Sequence, residues 1–187
     1  MYYIYGQECI GKSCSTRGTF PKDPAITALQ DLLMYGLIGL AMYAHRARQM
    51  GYKDKGIDEK IPQILYLSSK NINFSIEVLK NAIYELAELK NRIDNLYKHA
   101  CRSTLGYITE LTGPAQWQPE LKLPDLIAQG HRVCVIKSVD FPSSEINGLQ
   151  EIIKYSLMGT AGYIEQLQKY EKVHEEIYAM LYQILGS

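Results

Sequence analysis

Four cysteines and four histidines are the side chains of this 187-residue chain best suited to hold a metal or pass electrons. Cys9 and Cys14 lie five residues apart in a stretch rich in Gly, Ser and Thr. As thiolates they would supply two of the four ligands that a tetrahedral metal site or a cubane iron–sulfur cluster takes. The same pair is open to two other readings, a redox disulfide or two ordinary thiols. His99 and Cys101 are two residues apart in a helical stretch, so they point to different faces. Cys101 reads as a small core residue, and Cys134, between two valines, as another. His45, His131 and His174 have no partner at ligand spacing and read as surface or internally satisfied histidines. Lys12-Ser13-Cys14-Ser15-Thr16-Arg17-Gly18 suggests a phosphate loop only superficially, because the Gly-x4-Gly-Lys-Ser/Thr order and a preceding strand are both missing.

The elements that would position these residues are helices. Residues 1–22 carry no steady period and read as a loop. Asp23-Pro24 then gives an N-cap followed by proline at the first helical position. Leu29, Leu32, Leu33, Leu37, Leu40, Ala41 and Ala44 recur at helical spacing as far as about Met50, where Gly51 ends the helix. A second helix is expected from near Asp58 to about Ser69, with Pro62 tolerated in its first turn or so. A third, capped by Asn73 or Ser75, runs to about Thr104 with Val78, Ile83, Leu86, Leu89, Ile93, Leu96 and Tyr97 on its core face. Three helices joined by short loops make an antiparallel bundle over 23–111.

Residues 112–143 break that pattern. Gly113, Pro114, Pro119 and Pro124 mark a linker with a short helix at Pro124–Gln129 that ends at Gly130. His131-Arg132-Val133-Cys134-Val135-Ile136 is β-like, but one strand has no partner, so it reads as extended linker. Residues 144–187 read as two more helices, about Glu145–Tyr170 and Val173–Leu185. The fold class is therefore all-α: a three-helix bundle, a linker, and a second, incomplete bundle.

The second bundle repeats the first. Leu29-Gln30-Asp31-Leu32-Leu33-Met34-Tyr35-Gly36-Leu37-Ile38-Gly39-Leu40-Ala41-Met42-Tyr43 aligns without a gap to Leu149-Gln150-Glu151-Ile152-Ile153-Lys154-Tyr155-Ser156-Leu157-Met158-Gly159-Thr160-Ala161-Gly162-Tyr163. More faintly, Glu59, Ile61, Leu65 and Tyr66 match Glu175, Ile177, Leu181 and Tyr182. Gly inside a helix costs about 1 kcal/mol relative to Ala, so Gly39 and Gly159 at one repeat position predict close contacts. The tyrosines at 35, 43, 155 and 163 read as helical core packing. No third helix follows in the second copy, so its apolar stripe needs another surface. It folds back on the first bundle, pairs with another chain, or belongs to something longer.

Composition narrows the function classes. Twenty basic and 20 acidic residues balance, which gives no general nucleic-acid footprint and no polybasic membrane tract. The uncharged stretch Leu32–Ala44 falls short of the about 20 apolar residues of a membrane span. The first residues lack the basic head and apolar core of a signal peptide, so a soluble chain with reduced cysteines in the cytoplasm is expected.

Gln7, Cys14, Lys22-Asp23-Pro24 and Ala28–Leu37 together resemble the amino terminus of the hybrid cluster proteins, also called prismane proteins or hydroxylamine reductases. Leu149–Tyr163 is similar to the opening helix of their second three-helix bundle. Asn71-Ile72-Asn73-Phe74 and Pro114-Ala115-Gln116-Trp117 fall where that family has similar runs. The resemblance implies a helical fold and an amino-terminal iron–sulfur cluster held by four cysteines. At those positions this chain has Tyr3, Gly6, Cys14 and about Phe20, so a single thiolate remains. The family's catalytic cluster is ligated by later α/β domains that these residues do not include. The resemblance therefore implies a fold and an ancestry but not the reductase activity. The first expectation is a non-catalytic helical interaction or structural module without a cofactor, meeting a protein partner or its own copy through the incomplete second bundle. The alternative is an iron–sulfur redox subunit in which Cys9 and Cys14 of two chains share one cluster, as related carbon monoxide dehydrogenases share one between subunits.

Overall fold

Asp23 opens the first helix as its type and place predict: its Oδ1 accepts the Ala25 N–H at 2.9 Å, with Pro24 at the first helical position. The computed structural model describes residues 23–68, 75–140, 144–170 and 173–186, leaving aside the side chains of 134–140, 144–148, 150 and 151. The expected loop at 1–22, with Cys9 and Cys14, lies outside the described residues. Among those described there are six α-helices and one 3-10 turn.

Helix α1 (Pro24–Gln49) is apolar nearly all round, and such a helix needs cover on every side. Leu29, Leu32, Leu33, Leu37 and Leu40 are fully buried. By length and composition α1 is long and apolar enough to cross a membrane, longer than the uncharged stretch alone suggested, but most of its apolar window is buried inside the protein. Gly51, in the left-handed region at φ 85°, follows its last turn.

Helix α2 (Lys55–Leu67) starts three residues before the expected point. Asp54 is its cap, accepting the N–H groups of Gly56 and Ile57 at 3.0 and 3.2 Å. Asp58 and Pro62 are thereby both inside the helix, and Pro62 is past the first turn that was expected to excuse it. Helix α3 (Ile76–Thr104) is capped at Ser75. Ile83, Leu86, Ile93 and Tyr97 face the core as predicted, and Leu89 and Leu96 pack against its edge. Val78 does not: it is 47% exposed, and Leu79, one residue or about 100° further round, is buried in its place. Helices α1 and α3 run side by side in one direction, since Gly36 meets Leu86 and the Tyr43 and Tyr97 rings lie 5.4 Å apart.

A 3-10 turn at Gly113–Gln116 sits on α1. A Cβ on Gly39 would land on the Pro114 carbonyl, 2.6 Å from its carbon, so the close contact predicted for Gly39 is real and its partner is turn backbone. Lys90, only 2% exposed, crosses beneath to donate from Nζ to the Ala115 carbonyl at 2.8 Å. Gly159 does not share this property: nothing approaches its Cβ position within 4 Å.

The expected extended linker at 131–136 is helical. Helix α4 (Leu123–Asp140) runs through Gly130 without ending there. The glycine serves a crossing, because a Cβ on it would strike the Ala28 carbonyl of α1, 2.6 Å from the carbon. Leu126 and Val133 bury against the core, and that packing overrides the β-propensity of the valines.

Helices α5 (Ser144–Gln168) and α6 (Glu175–Gly186) are the second copy. They fold back on the first, exchanging partners with it: α2 lies against α5, and α6 against α1. The repeat-related tyrosines make this visible. Tyr66 of α2 lays its ring on Gly162 of α5, and Tyr182 of α6 reaches Asp58 of α2. Leu157, Met158, Ala161 and Ile164 form the buried side of α5. On its other side Leu149, Ile152 and Ile153 are exposed. Tyr43 is buried as expected, but Tyr163 is 75% exposed and Tyr155 also faces outward, so core packing does not explain the second pair.

Candidate functional site

The cysteines do not converge among the described residues. Cys9 and Cys14, the candidate ligands, lie outside them. Cys101 is a buried free thiol, as expected of a core residue. It neighbours Tyr97, whose hydroxyl donates to the Thr109 carbonyl at 2.8 Å and whose pKa is pushed up to about 12 by burial and the nearby thiol. Cys134 belongs to α4, and its side chain is among those left aside. A ring nitrogen of His45 lies 3.0 Å from Gln49 Nε2, and burial, then Arg46, lowers its pKa. His99 stacks edge-on to Tyr52 at 5.5 Å, and His131 and His174 are exposed. Among the described residues no three His, Cys, Asp or Glu side chains gather as a metal site.

Charge gathers instead where α1, α2 and α6 meet. Arg48 ends α1 with its guanidinium paired to Asp58 of α2 and, through Nη1, to Glu175 Oε1 of α6 at 3.0 Å. Lys53 pairs with the same Glu175. Tyr182 donates from its hydroxyl to Asp58 Oδ1 at 2.9 Å, and the Arg48 guanidinium lies 5.4 Å from its ring centre. Burial pushes Asp58 up from the ordinary carboxylate range, against the pull of Arg48 and the phenol. Arg48 is raised, because Asp58 and Glu175 more than offset its own burial. The two shifts differ in sense for one pair. The geometry favours the ionised pair, since both carboxylate oxygens of Asp58 accept donors. Burial and the adjacent carboxylate raise the Tyr182 hydroxyl well above its usual value, so it stays a donor. Asp58 and Tyr182 are closed off from solvent, and the cluster fastens α6 to the first copy.

Sequence reasoning missed this cluster. Arg48 drew no reading, Asp58 marked only a helix start and Glu175 only a faint match to Glu59, because their convergence depends on the exchange of helices between the copies. The available signal was Tyr182, which the repeat had singled out.

The third feature is the outer side of α5, where Leu149, Ile152, Ile153, Tyr163 and Leu167 are exposed along one face. The corresponding face of α1 carries Gly36 and Gly39, which Trp117, Leu86 and the Pro114 turn cover.

Fold and site thus define an all-helical protein built on an internal repeat, with its polar chemistry spent on joining helices. The chain belongs to the Prismane/CO dehydrogenase family, whose model matches residues 5–187. A hydroxylamine reductase of Halothermothrix orenii is 32% identical over 172 residues, 91% of this chain and 30% of its own length. The hydroxylamine reductase of Geobacter metallireducens is 31% identical over 183 residues, covering 97% of this chain and 33% of the relative. That of Rhodospirillum rubrum is 28% identical over 185 residues, 99% of this chain and 34% of the relative. The chain spans about a third of the length of these relatives. The resemblance read from the helices is therefore membership.

An iron–sulfur cluster of the kind the family implies does not fit the donor set at the matching positions. Tyr3, Gly6 and Phe20 offer no thiolate, which leaves Cys14 alone, and a cubane takes four.

Proposed function

We propose that these 187 residues act as a non-catalytic helical module of the family scaffold, in the cytoplasm, that binds no cofactor and joins a protein partner or a further copy through the second repeat. The observation that carries this reading is the outer face of α5. A helix apolar on both sides belongs in an interior, and one side of α5 is open. The module has no part in binding nucleic acid or membrane. The loss of three of four ligand positions supports a role without a cluster, and the interhelical clasp supports a rigid body.

The test is anaerobic purification followed by iron and sulfide analysis and a visible spectrum. A colourless, iron-free, helical protein is expected. Stoichiometric iron with a charge-transfer band would overturn the reading in favour of the redox subunit, with Cys9 and Cys14 of two chains around one cluster. In that case Cys9→Ser and Cys14→Ser would each bleach the sample.

A further inference from the structure

We draw no further inference here: the strongest candidate, the loop at 118–121 whose backbone Tyr84 and Gln129 brace by hydrogen bonds while Leu121 stands 87% exposed at its tip, is a single apolar side chain, and nothing in the structure shows what covers it.

Discussion

Replacing Gly39 by alanine tests the packing of the repeat most directly. The new methyl would land on the Pro114 carbonyl and lie 3.1 Å from the Ala115 nitrogen, and all of these are backbone atoms that cannot turn aside. The 3-10 turn must therefore lift off α1. Lifting it stretches the Lys90–Ala115 hydrogen bond, a buried bond from a charged donor worth about 1.5–3 kcal/mol. Overpacking itself costs about 1–3 kcal/mol, and the helix recovers about 1 kcal/mol from losing a glycine. The net expectation is a loss of about 1.5–5 kcal/mol, or roughly 3–20 °C in Tm for a domain of this size. Urea denaturation gives the first number. Fluorescence gives an independent second, because Trp117 is the chain's single tryptophan, buried beside Gly36 and one residue beyond the turn. Its emission should move to the red in the folded variant. An unchanged midpoint together with unchanged emission would refute the packing argument, since the methyl would then have found room without moving the turn.

Three further predictions concern the clasp between α1, α2 and α6. Tyr182→Phe removes the phenol from Asp58 and should lower stability by about 1.5–3 kcal/mol, while Asp58→Ala, which leaves Arg48 with Glu175 alone and the buried Tyr182 hydroxyl without its acceptor, should cost at least as much, both read from urea midpoints. Glu175 is held below the ordinary carboxylate range by Lys53 first and Arg48 second. A depressed folded pKa stabilises above the unfolded value and loses that contribution as pH falls through the folded one, so wild type should weaken on acidification below about 4.5 more than Glu175→Gln does.

Much of the fold was legible because local signals and packing agree. Asp23-Pro24 and Gly51 bracket α1, and the leucines between them specify a buried helix. Residues 131–136 were misread because valine propensity was weighed without the surface that receives them. Gly130 read as a stop, when the reason for it is the Ala28 carbonyl lying across its path. The shift from Val78 to Leu79 is one residue of helical phase, which a stripe of alternating Leu and Ile does not fix. Lys90 drew no reading from the sequence, because nothing local tells a lysine that a turn carbonyl awaits it. The clasp was invisible for a more general reason. A helical stripe shows which side wants cover but not which helix supplies it, and here each copy covers the other.

That exchange has a consequence for how the chain is made. Arg46 of α1 hydrogen-bonds the Gly186 carbonyl of α6, 140 residues later. At the about 5–20 residues per second of ribosomal synthesis, roughly 7–28 s pass between the emergence of the central helix and that of the helix that covers it. Through that interval α1 has the length and apolarity of a membrane span and no α6 to cover it. The nascent chain then carries an apolar helix that lacks part of its cover, and slowing translation after residue 143 should increase its aggregation without altering the stability of the finished protein.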